Sequence, residues 1–128
     1  MIRIERAARR NPERSLAYLP EDALTSSFCV AELFLGWNRA RTAEQREAAW
    51  GFISLVQSTL GRQDFGYEEA LVWAQLFEQL RASGQTIGER DLLIAASAVA
   101  NGHAVMTDNV EEFSRVPGLE VRTFPSFA

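Results

Sequence analysis

A chain of 128 residues, 47% hydrophobic, is long enough to bury one core of its own and lacks the bias of a disordered segment. A net charge of −4 excludes binding to nucleic acid by broad electrostatic attraction alone. No apolar run is long enough to cross a bilayer, and the charged start MIRIERAARRNPER has no signal-peptide core, so a cytoplasmic protein is expected.

All 13 basic residues are arginine, and Arg3, Arg6, Arg9, Arg10 and Arg14 crowd the start of the chain. Coding bias explains that choice, and so does an affinity of guanidinium for phosphate or carboxylate partners. Cys29 is alone, so it forms no internal disulfide and reads as a small buried hydrophobe.

In chain order, residues 1–10 read as a helix ended by Asn11-Pro12, because proline disfavours helix in the residue before it. A second short helical piece over Glu13–Leu19 closes at Pro20. Residues 22–29, DALTSSFC, read as a strand, followed by a helix on which Val30, Leu33, Phe34 and Trp37 recur at helical spacing. Thr42 with Gln45 forms a capping-box pattern. It opens a helix to Leu60 with Ala49, Phe52, Ile53, Val56 and Leu60 on one face; Gly61 ends it, and RQDFG is a candidate edge strand. Tyr67–Ala82 is amphipathic and stops at Ser83-Gly84.

The last third is the most legible. Asp91 can cap a helix through LLIAASAVA, and Asn101-Gly102 supplies a left-handed C-cap. HAVMT (103–107) is a strand, DNVEEF a turn and short helix, and LEVRTF (119–124) a final strand. Helices alternating with short strands indicate an α/β fold with parallel pairing.

Three carboxylates stand out against this outline. Asp108 follows strand 103–107, where ligand sites collect in open parallel sheets. Asp91 sits at a helix N-terminus, and Glu32 lies early in the helix after strand 22–29. Each has a plain structural role open to it: Asp91 as an N-cap worth about 1 kcal/mol, Asp108-Asn109 as turn chemistry, and Glu32 as a helix former paired with Arg39 or another basic residue. Should the three converge, their repulsion calls for a cation. All-oxygen ligands suit Mg²⁺ or Mn²⁺, whose chemistry is metal-assisted phosphodiester hydrolysis. His103 follows a turn and reads as an exposed structural residue; the Trp and Phe positions read as core. There is no nucleophile elbow and no glycine-rich phosphate loop.

The stretches SSFCVAELFLGWNRA, TIGERDLLIAASAVANGHAVMTDNVEEF and VPGLEVRTF, in this order and spacing, resemble a PIN-domain protein of the VapC toxin type. The resemblance runs along almost the whole chain, as a single domain over 1–128. It implies a three-layer α/β/α fold with a central, mostly parallel sheet. It also implies a metal-dependent ribonuclease that is the toxin of a type II toxin–antitoxin pair. Such a protein cleaves RNA with Mg²⁺ or Mn²⁺, forms a homodimer and is restrained by a small antitoxin. Glu32 matches the acidic residue of the family's A-E-L helix, and Asp91 the metal-binding Asp of D-L-L-I-A-A. Thr107 and Asn109 match T-x-N, while Asp108 takes the variable middle place. Either Asp108 or Asn109 then completes a metal and catalytic set with Glu32 and Asp91, with Thr107 a supporting hydroxyl.

The departure is at the start. Similar PIN domains open with a strand ending in L-D-T, whose Asp is a leading metal ligand, and MIRIERAARR resembles the helix after it. The expectation is a sheet lacking its first strand. Three explanations stand: a start codon placed too late, a catalytically dead copy, or a partner filling the gap. The rival function is a catalytically impaired module that only dimerises or binds an antitoxin; a nuclease acting on DNA is a third.

Overall fold

The computed structural model describes residues 2–4 and 19–123. Five strands form one sheet: β1 (Ile2–Ile4), β2 (Leu24–Ser26), β3 (Gly61–Gln63), β4 (Ala104–Met106) and β5 (Val121–Arg122). Their order is β3-β2-β1-β4-β5, and every pairing is parallel. The helices are α1 (Ser27–Arg39), α2 (Ala43–Thr59), α3 (Tyr67–Ala82), α4 (Glu89–Ala100) and the short α5 (Val110–Phe113).

The central strand is present, which corrects the expectation of a sheet without it. Ile2–Ile4 lie between β2 and β4, with Arg3 opposite Leu24 on one side and Val105 on the other. The segment Ile-Arg-Ile is rich in β-branched residues, and ladders on both edges favour strand over the helix expected across 1–10. The rest of that expected helix, and nearly all of the piece over Glu13–Leu19, lie outside the described residues.

The other elements follow from local chemistry. The strand expected over 22–29 is only three residues long, because Ser26 accepts the Cys29 N–H at 3.1 Å and starts α1 at Ser27. Thr42 caps α2 by accepting from Gln45 N–H at 3.1 Å, and the Gln45 side chain returns to Arg41 N–H at 2.9 Å. That is the expected box, with its return bond one residue earlier. Helix α3 has the bounds expected.

Gly61 starts edge strand β3 directly after α2. On that edge Arg62 pairs with Asp64 at 2.6 Å. This hydrogen bond holds the Asp64 carboxyl below its ordinary value, and charge on an edge strand discourages further pairing. Helix α4 ends as expected: Gly102 has φ of 68°, its N–H bonds Val99 O at 3.3 Å and His103 N–H bonds Ala98 O at 2.8 Å, the paired bonds of a Schellman cap.

The main core lies on one face of β4, where Val105 meets Leu76 and Leu80 of α3, Leu92, Ile94 and Ala95 of α4, and Phe113. Ala104 and Met106 point to the opposite face and pack with Leu19, as strand alternation requires. A smaller cluster joins Ala23, Val56 and Leu60.

One sequence expectation reverses and another holds only in part. His103 is buried, because the cap turns it in at the start of β4. The aromatics divide: among the described residues Phe113 is fully buried and Phe28, Phe52 and Trp73 pack partly buried against the core, whereas Trp50 is 49% exposed. Trp50 groups with Phe34 and Trp37 at centroid distances of 6.3 and 6.1 Å, with Arg46 over the Trp37 ring.

Candidate active site

In the order β3-β2-β1-β4-β5 the chain winds outward on one side from β1 and on the other from β4. The switch point between β1 and β4 is where open parallel sheets leave a crevice at their carboxyl edge. Asp91, Thr107, Asp108 and Asn109 come from the segments around β4, and Glu32 from the helix after β2.

Helix α4 starts at Glu89 with Gly88 as its N-cap and no side-chain cap bond. Asp91 is therefore not the cap expected. It sits in the first helical turn, 2% exposed, where the helix dipole and backbone N–H groups favour a negative charge. A carboxylate buried this deeply costs desolvation that an N-cap on the surface does not incur, so capping does not account for its place.

Glu32 is also withdrawn from solvent, its side chain 7% exposed, with Arg90 Nη1 2.9 Å from Oε1. The basic partner is Arg90, beside Asp91, because α1 packs against α4. The pair borders a cleft of about 410 Å³ lined by Glu32, Leu33, Gly36, Arg39, Phe52 and Arg90.

Beyond β4, Thr107 is fully buried and Asp108 is exposed. Asn109 donates its N–H to Thr107 Oγ1 at 2.9 Å and its Nδ2 to Glu112 Oε2 at 2.7 Å. The other carboxylate oxygen of Glu112 accepts the Gly88 N–H. Asn109 is thereby tied towards the start of α4, while Asp108 faces outward. Among the described residues, no group of three or more His, Cys, Asp or Glu side chains is placed to hold a metal ion. Of the three expected carboxylates, Asp91 and Glu32 are withdrawn from solvent and Asp108 is exposed. Successive residues leaving a strand point to opposite sides, and here Asn109 turns to Glu112 while Asp108 turns to solvent.

Arg90 and Glu112 escaped the sequence reading. Arg90 carries no local signal for its ion pair across the fold. Glu112 does carry one, since Asn109 and Glu112 stand three apart at a helix start, the spacing of a capping box.

The donor chemistry still fits a hard cation. Asp91 and Glu32 offer buried carboxylate oxygens, and Mg²⁺ is commonly held by one or two carboxylates, with water and substrate phosphate filling the remaining positions. Arg90 offers a guanidinium beside them, suited to a phosphate.

A parallel α/β domain with buried carboxylates on α1 and in the first turn of α4 is the class that fold and site define. The PIN domain model matches residues 2–119, and the chain belongs to the PIN domain family. It is 36% identical over 105 residues to ribonuclease VapC of Rickettsia bellii, covering 82% of this chain and 78% of that one. It is 31% identical over 97 residues to the tRNA(fMet)-specific endonuclease VapC of Salmonella typhimurium, covering 75% and 70%. VapBC2 of Rickettsia felis, solved with a DNA fragment from its promoter, superposes with a TM-score of 0.76 at 25% identity, over 98% of this chain and 100% of that chain.

Proposed function

We propose that this protein is the toxin of a type II toxin–antitoxin pair, a Mg²⁺-dependent endoribonuclease in which Mn²⁺ can substitute. The observation that carries this reading is the burial of Asp91 at the switch point, in a chain related to proteins named ribonuclease VapC. The working unit is one PIN-like domain over 1–128, acting in the cytoplasm. No helix among the described residues is long and apolar enough to cross a membrane.

Asp91 and Glu32 would hold the cation. When bound, it polarises a phosphodiester and lowers the pKa of the attacking water. Asn109 and Thr107 complete the polar wall, and Asp108 stays outside it. Arg90 alternates between Glu32 and an RNA phosphate, which keeps Glu32 compensated before substrate arrives.

The partners are an antitoxin and a second copy of the chain. The half-exposed Trp50, beside the partly buried Phe34 and Trp37, supports an apolar protein contact, since such patches on soluble proteins mark interaction surfaces. The rival reading is an impaired module that only binds its antitoxin or itself.

Single-stranded RNA incubated with the full chain and Mg²⁺ separates the two readings. Cleavage that stops in chelator supports the ribonuclease. Intact RNA alongside retained antitoxin binding supports the rival, and cleavage of DNA alone contradicts both.

A further inference from the structure

Glu112 joins two parts of the site that are 24 residues apart in the chain. One oxygen accepts the backbone N–H of Gly88, the residue that opens α4; the other accepts Nδ2 of Asn109 at 2.7 Å. Gly88 eases the approach. A Cβ there would stand 3.2 Å from Glu112 Oε1 and 3.7 Å from Asp91 Oδ2, so the two carboxylates flank one bare Cα.

A carboxylate accepts hydrogen bonds and donates none, whereas an amide has one face of each kind. Glu112 therefore admits a single orientation of Asn109: Nδ2 towards Glu112, Oδ1 turned away from it. The Asn109 N–H, bonded to Thr107 Oγ1 at 2.9 Å, fixes the backbone from which that amide projects.

We propose that Glu112 is a positioning residue: it orients the Asn109 amide so that an oxygen, and not an N–H group, is presented to the site containing Asp91. An oxygen is the electron-pair donor that a hard cation accepts, and an amide turned the other way would offer only protons. The inference rests on the ribonuclease reading and adds to it a residue that touches neither substrate nor cation. Partners of this kind typically change metal affinity or activity about 10–100-fold when altered.

The test exploits the asymmetry of amides. In Glu112→Gln, Oε1 keeps the Gly88 N–H, so Nε2 faces Asn109 and forces its amide to turn over. In Asn109→Asp, two carboxylates meet. The double variant restores complementarity: the amide introduced in α5 donates to the carboxylate introduced before it, whose other oxygen is again presented to the site. A cycle of four proteins thus isolates the contact.

Both single variants should cleave RNA about 10–100-fold more slowly than the native chain. The loss should fall on kcat more than KM, and thermal midpoints should stay close to the native one. The double variant should recover most of the rate. Native-like cleavage by Glu112→Gln, or a double variant no faster than the singles, overturns the proposal.

A native chain that cleaves no RNA removes the ribonuclease reading instead. The Asn109 side-chain amide signals in a nitrogen-edited spectrum then decide the orientation. Protection from exchange in the native chain, lost in Glu112→Ala, upholds it; an amide that exchanges equally fast in both overturns it.

Discussion

At the scale of single residues, what the sequence reveals is chemical type, and what it hides is partnership across the fold. Asp91 and Glu32 could be singled out because acids beside apolar runs are costly to bury. That Glu32 would meet Arg90, or Gly88 meet Glu112, depends on α1, α4 and α5 converging. No local spacing encodes that convergence. Asp108 and Asn109 were equivalent on paper; only the bonds to Thr107 and Glu112 separate them. Thr107→Val keeps the buried shape and removes the acceptor for the Asn109 N–H. It should lower stability by about 1 kcal/mol, read as a lower urea midpoint with an unchanged slope, together with slower cleavage. An unchanged midpoint and rate would remove Thr107 from the account.

At the scale of elements, helix bounds were legible wherever a cap or a glycine marks them. Tyr67–Ala82 matches to the residue, and the Gly102 cap has the left-handed conformation expected. Strands were less legible because each is only two or three residues long, too short for period-two alternation to register. What makes Ile2–Ile4 a strand is its two neighbours, not its own pattern. The C-cap of α4 gives a clean prediction. Gly102 has φ of 68° with nothing within 4 Å of an added Cβ, so Gly102→Ala tests conformation alone. It should cost about 1 kcal/mol in denaturant unfolding while leaving cleavage unchanged. No loss of stability would show that the left-handed cap carries no strain.

At the scale of the whole molecule, the parallel sheet and its order give meaning to the scattered acids. The alternation of helices and strands predicted parallel pairing, and the structure adds the switch point between β1 and β4. That position turns two buried carboxylates from separate oddities into one candidate site. The outer face is less legible, because every aromatic residue at helical spacing reads as core. Trp50 is half-exposed and groups with the partly buried Phe34 and Trp37, which predicts that Trp50→Ala weakens antitoxin binding in calorimetry without slowing RNA cleavage. Equal affinity would place the antitoxin elsewhere.

The central claim is that Asp91 is buried for chemistry and not for capping. Its most direct test is cleavage of single-stranded RNA in Mg²⁺ by the full chain and by Asp91→Asn, which is nearly isosteric but lacks the charge. The account predicts cleavage by the native chain, and loss of it in a variant that remains folded. Cleavage that survives Asp91→Asn would contradict it.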